Sequence, residues 1–193
     1  LPSQVQTRLT WGKESVQLLD IHPDGKSLLI STSIPDFSER PFSIQTLMSL
    51  DLQTLGTDTL LRTSFDVQAI YNPDGTKLLL TGSAMLFDGM GSSLPPGNIP
   101  NDYDKQLYLF DPLTKQARPL SLSFDPSIDQ ALWHKDDKFI YLLTTDQTYK
   151  RIYRYDANNE TFTRLDLPVD VISQWQLSSA GSWLGITGSS ISS

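Results

Sequence analysis

One phrase occurs four times along this chain. Ile21-His22-Pro23-Asp24-Gly25, followed by Leu28-Leu29-Ile30, comes back as Tyr71-Asn72-Pro73-Asp74-Gly75 before Leu78-Leu79-Leu80. It comes back in altered form as Trp133-His134-Lys135-Asp136-Asp137 before Phe139-Ile140-Tyr141. The fourth copy is Leu177-Ser178-Ser179-Ala180-Gly181 before Trp183-Leu184-Gly185-Ile186. The anchors 21, 71, 133 and 177 stand 50, 62 and 44 residues apart. A period near that length, with strand-like content in every copy, restricts the chain to a repeat architecture of propeller blades.

Each copy has a simple physical reading. A strand over 15–21 runs into His22-Pro23-Asp24-Gly25, where proline presets φ for a turn, aspartate suits the next position and glycine accepts a positive φ. The apolar run from Lys26 to Ser33 then predicts a second strand covered on both faces. A second phrase recurs in step: Leu47 to Thr54, Leu107 to Thr114 and Ile152 to Asn159 each alternate, then end in Asp and a turn. Short outer strands follow at 59–62, 117–120 and 161–165. The Asp closes its turn by accepting nearby backbone N–H groups. The fold expected is all-β, a propeller segment of about three and a half four-stranded antiparallel blades with no helix beyond short turns. Blades are placed at about 15–63, 65–122 and 127–166, with an incomplete one over 171–193. Arg8-Leu9-Thr10 reads as the outer strand of a preceding blade, so the chain is expected to be part of a longer protein. Tyr71 and Trp133, closing their inner strands, are expected to be largely buried.

Composition narrows the function classes. The net charge of −7 and the scattered lysines argue against nucleic acid, which needs clustered Lys and Arg. No window reaches the roughly 18 apolar residues of a membrane helix. Cysteine is absent, which removes thiolate chemistry and cysteine metal sites. No cofactor is expected.

Function is sought where the repeat departs from itself. The loop between second and third strands is short in blade three, Asp146 to Tyr149. It is longer in blade one, 34–43, and longest in blade two, from Ala84 to Lys105. Long loops without their own secondary structure are uncommon and frequently functional. Asp36, Phe37, Glu39 and Arg40 in the first, with Phe87, Asp88 and Met90 in the second, are the candidate contacts to a partner or substrate. The second insertion has two readings: it folds onto its own blade, or it meets a second domain or subunit. The apolar residues of the open first and last faces predict self-association, or packing on another copy or on missing blades, with Val171, Ile172, Trp175, Leu177, Trp183, Leu184 and Ile186 most in need of cover.

Other constellations favour structural roles. His22 and His134 share one repeat slot in different blades, too far apart for a metal pair. Asp24, Asp74, Asp136 and Asp137 lack the alternating ligands of a calcium loop and suit turns. Ser178-Ser179-Ala180-Gly181-Ser182 is a turn, not a nucleophile elbow. A Ser-His-Asp triad has no place in the chain. Inner-strand carboxylates, Asp20, Asp66 and Asp129, are too few for a glycosidase pair.

The Pro-Asp-Gly turn before an apolar strand, with an Asp-ended alternating strand later, resembles the blades of the amino-terminal propeller of prolyl oligopeptidase-family serine peptidases, dipeptidyl peptidase IV relatives included. It also resembles the propeller of the Tol system. The Gly-His and Trp-Asp signatures of WD-repeat proteins are missing. The peptidase resemblance implies a non-catalytic gate for peptides, a separate carboxy-terminal α/β-hydrolase domain as partner, and a bacterial periplasmic or secreted location. It implies no catalytic residue in this chain. The glutamate pair that anchors a substrate amine in dipeptidyl peptidases has no counterpart among Glu14, Glu39 and Glu160. The Tol resemblance implies a stand-alone binding or scaffold module instead.

Overall fold

The computed structural model describes residues 6–38, 40, 42–95, 97, 98, 101 and 103–190. They form two compact units, Leu1–Asp66 and Val67–Ser193.

In the first unit, β1 (Ser15–Ile21), β2 (Ser27–Pro35), β3 (Ser43–Asp51) and β4 (Thr57–Thr63) pair in sequence order as an antiparallel meander. In the second unit, β5 (Val67–Tyr71), β6 (Leu78–Ser83), β7 (Lys105–Asp111) and β8 (Gln116–Pro119) repeat that order. So do β9 (Ser127–Trp133), β10 (Phe139–Asp146), β11 (Tyr149–Asp156) and β12 (Thr161–Arg164). A hairpin of β13 (Val171–Leu177) and β14 (Leu184–Ser189) follows, joined to β11 by one parallel pair, Lys150 with Val171. These are propeller blades, three whole and one half. Arg8-Leu9-Thr10 lies outside any strand; Arg8 Nε donates to the Thr10 carbonyl.

The turn phrase builds one and the same loop four times. The N–H after each anchor donates to a carbonyl five residues on: His22 to Ser27, Asn72 to Lys77, His134 to Phe139 and Ser178 to Trp183, all at 2.8–2.9 Å. The turn's fourth residue needs a positive φ. Gly25, Gly75 and Gly181 supply it at 71°, 78° and 73°, while Asp137 adopts 61° without glycine's freedom. The second phrase is equally regular. Asp51 Oδ1 accepts the N–H groups of Gln53 and Thr54, Asp111 those of Leu113 and Thr114, and Asp156 those of Asn158 and Asn159. The Thr54 N–H leads in holding Asp51 below its usual pKa, and the Asn159 side-chain amide, with the turn N–H groups behind it, does so at Asp156. Lys77 Nζ adds a 2.5 Å ion pair at Asp111, and that pair with the turn N–H groups takes its pKa down to about 2.

All six residues of β6 are buried, as a strand covered on both faces must be. In the second unit Leu79 and Leu107 share one core with Phe124, Ile128, Ile140 and Tyr155. Tyr71 is buried, whereas Trp133 is half-buried, packed against that core with its Nε1 out of solvent and without an acceptor among the described residues. The last hairpin corrects the expectation of a bare apolar face. Ile172 is buried, and Trp175, Leu184 and Ile186 pack with Leu143 and Ile152 of the preceding blade. The opposite positions, Ser173, Gln174, Gln176, Gly185 and Thr187, are polar or small. Trp183 does stand in solvent, 79% exposed. At the other end of the chain Val16, Leu18 and Ile21 on β1 are exposed.

Candidate functional site

The blade-two insertion leaves β6 at Ser83 and folds straight back. A single turn, Leu86–Gly89, carries Phe87 and Asp88 with φ of 55° and 59°, so it is a kinked turn and not a helix. Its geometry is fixed from beneath. Leu86 is 1% exposed, and Phe87 lies edge-on to Tyr108 and roughly parallel to Phe110, with centroids 5.5 and 6.0 Å away. Gly91 N–H donates to the Ala84 carbonyl at 3.1 Å and closes the loop. A Cβ on Gly91 would collide with the Tyr108 hydroxyl, so glycine is required there for space. That hydroxyl donates to the Ser83 carbonyl at 2.8 Å, and burial pushes its pKa well up.

The return arm is tied to the connection between β8 and β9. Ser127 donates its hydroxyl to the Tyr103 carbonyl at 2.8 Å and accepts the Lys105 N–H at 3.1 Å. Ser121, fully buried, accepts the Leu107 N–H and donates to Gln106 Oε1. A cavity of about 390 Å³ opens between the two arms and this connection. Among the described residues Asn101, Asp104, Gln106, Ser123 and Asp125 give it polar walls, with two carboxylates and no Lys or Arg, and Leu94 and Phe124 give it an apolar side. Such a pocket suits a small neutral or cationic group.

The candidate contacts separate on this geometry. Phe87 turns inward onto its own blade. Asp88 and Met90 remain exposed on the same turn. In blade one Phe37 stands 80% exposed, with the Phe42 ring 6.4 Å away and the Arg40 guanidinium over that second ring at 5.5 Å. Asp36 accepts the Ser38 hydroxyl at 2.5 Å and the Ser38 N–H at 2.9 Å, which lowers its pKa. It serves its own loop. Glu39 lies outside the described residues.

Both histidines are turn residues. His134 Nδ1 meets Asp136 at 2.6 Å and its Nε2 faces the Gly181 carbonyl at 3.2 Å, so neither nitrogen is placed to activate a serine. His22 Nδ1 repeats the first contact with Asp24 at 2.7 Å. No group of three or more His, Asp or Glu side chains fit to hold a metal occurs among the described residues. No helix there is long and apolar enough to cross a membrane.

Sequence reasoning missed the polar cluster of blade three. Asp129 Oδ2 accepts Lys150 Nζ at 2.7 Å and the Thr145 hydroxyl at 2.9 Å, and Lys150 also donates to Thr145. Beside it Asp146 accepts the Tyr153 hydroxyl and lies 3.6 Å from Arg151 Nε. The pairing of β10 with β9 and β11 brings these residues together, and no linear motif announces it.

No known family profile matches the chain, and no curated protein does. Solved structures do. TolB from Acinetobacter baumannii superposes with a TM-score of 0.67 at 18% identity, over 96% of this chain and 40% of that one. The β-propeller domain of the Trilobed protease from Pyrococcus furiosus gives 0.57 at 14% identity, over 86% of this chain and 43% of that chain. A prolyl endopeptidase gives 0.57 at 16% identity, over 90% of this chain and 24% of that one. At these identities the likeness is one of fold, and it is to β-propellers from peptidases and from TolB. The chain spans less than half the length of each of the three.

Proposed function

We propose that this chain is a non-catalytic propeller portion of an exported bacterial peptidase of the prolyl oligopeptidase type. In this reading it gates peptide access and docks a carboxy-terminal α/β-hydrolase domain. The observation that carries the reading is the blade itself. The Pro-Asp-Gly turn and the Asp-closed turn recur in register, the fold is shared with peptidase propellers, and both histidines are engaged in turns. Phe37 and Arg40 in the first unit, and separately Asp88 and Met90 in the second, are the docking contacts of this proposal, and the pocket at Asp104 and Asp125 faces the peptide. Self-association through Val16, Leu18 and Ile21 belongs to the same proposal, as does a periplasmic or secreted location.

A second reading has its own support. The TolB superposition covers more of this chain, at a higher TM-score, than either peptidase match. A stand-alone binding or scaffold module is therefore the alternative. The coding sequence beyond Ser193 separates them. A Gly-x-Ser-x-Gly elbow in strand-to-helix context, with Asp and His after it, supports the peptidase; a stop codon or further blades alone supports the binding module.

A further inference from the structure

A single register position on the innermost strands is occupied by the same residue in every sheet. The anchors Ile21, Tyr71, Trp133 and Leu177 pair with Leu28, Leu78, Ile140 and Leu184. Three residues further along each second strand the partners are Ser31, Thr81, Leu143 and Thr187. Each of these faces a glutamine: Gln17, Gln68, Gln130 and Gln174 respectively. Only twelve of the 193 residues are glutamine, so four at one register is not a product of composition. Gln17 belongs to the first unit. The other three lie on successive inner strands of the second and make the case.

Their surroundings are mostly uncharged hydrogen-bonding and apolar groups. Gln68 and Gln130 line a cavity of about 440 Å³; Gln130 and Gln174 line the next, of about 640 Å³, with Ser173, Gln176 and Thr187. Among the described residues no charged side chain lines the larger one. The smaller has two charged lining residues, Asp129, which Lys150 holds, and Lys105 at its edge. Trp175 Nε1 donates to Gln130 Oε1 at 2.6 Å, which fixes that carboxamide with both N–H donors left over. The Gln68 and Gln174 carboxamides make no hydrogen bond among the described residues. Gln130 and Gln174 are exposed and Gln68 is half-buried.

A carboxamide carries an acceptor and two donors, the complement of a peptide group with its one N–H and one C=O. Trp175 lines the larger cavity too, but it packs against the Leu143, Ile152 and Ile172 core and its Nε1 is spent on Gln130, so a ligand stacking on its ring is the rival occupant that the test separates. We infer that β5, β9 and β13 form a subsite for an extended, uncharged stretch of polypeptide, held through its main chain by Gln68, Gln130 and Gln174. Recognition is then independent of the ligand's side chains and insensitive to salt. The subsite names a ligand chemistry and stands under either reading above.

The test is an NMR titration of the protein with an acetylated, amidated hexapeptide of alternating glycine and serine. The readouts are the side-chain NH₂ signals of the three glutamines and the Trp175 indole N–H. The expected result is saturable shifts at these signals, unchanged in higher salt. Methylating alternate peptide nitrogens of the ligand should weaken binding at least tenfold. Gln68→Leu and Gln174→Leu should each weaken it about fivefold, the value of one net hydrogen bond. Gln116→Leu, an exposed residue of β8, should leave it unchanged. Absent shifts, equal binding of the methylated peptide, unaltered affinity in both inner-strand variants, or shifts produced by maltohexaose and not by the peptide would each overturn the inference. None of these outcomes bears on the downstream hydrolase elbow, so the two ideas fail separately.

Discussion

The two insertions look alike in sequence and behave differently in the fold. Both follow a second strand, and both mix apolar, acidic and small residues. The blade-two insertion is part of its blade: Leu86 is buried, Phe87 lies on Tyr108 and Phe110, and Gly91 locks against the Tyr108 hydroxyl. In the blade-one loop Phe37 stands in solvent, and the internal bonds include that of Asp36 N–H to the Phe42 carbonyl. Apolar content alone therefore does not mark a contact surface. What matters is whether the neighbouring sheet has a place for the side chain.

The contrast predicts unequal costs of mutation. Leu86→Ala should destabilise the protein by about 2–5 kcal/mol, because it leaves a cavity under the turn. Denaturant unfolding checks it; a change below about 0.5 kcal/mol would mean that Leu86 is not part of the core. Gly91→Ala comes next, at about 1–3 kcal/mol, since the new methyl displaces Tyr108 or opens the loop. A Gly91→Ala, Tyr108→Phe double variant should recover part of that loss, and full additivity would show that the two do not touch.

Much of this fold is legible in the residues. The Pro-Asp-Gly and Asp-closed turns fix strand ends through local bonds, so the strands follow from sequence. The packing of the last hairpin was not legible. Ile172, Trp175, Leu184 and Ile186 look homeless in a half-blade until the β13–β14 hairpin is seen to lay them on Leu143 and Ile152. The glutamine register was hidden by a bulge. Gln17 stands four residues before its anchor and the others three, because β1 inserts a residue between Leu18 and Asp20. The Asp129–Lys150–Thr145 cluster depends on strand pairing, which no local pattern encodes.

Acid provides a third probe of the comparison. The folded-state pKa of Asp111 is about 2, below the ordinary 3.8, through Lys77 and the turn N–H groups. A depressed carboxylate stabilises the fold above its unfolded pKa and loses that contribution as the pH falls. Stability should thus decline from pH about 4 toward 2, and Asp111→Asn should flatten that limb. Asp36→Asn, whose hydrogen bonds come from Ser38 in its own loop, should flatten it less. Equal effects would show that the bonds inside the blade-one loop hold the fold as firmly as the Asp-closed turn after β7. The smallest effect expected is that of Phe37→Ala, within about 0.5 kcal/mol in unfolding, because an 80% exposed ring holds nothing in place. A loss above 1 kcal/mol would show that the ring is covered in solution.

Native-state hydrogen exchange tests the division most directly, through two backbone N–H groups. Gly91 is buried and donates to Ala84, whereas Ser38 bonds only within an exposed loop. The Gly91 N–H should exchange near the rate of global unfolding and the Ser38 N–H near that of an open chain. Comparable fast exchange at both would contradict the account, because the blade-two insertion would then be a loose loop and not a part of its blade.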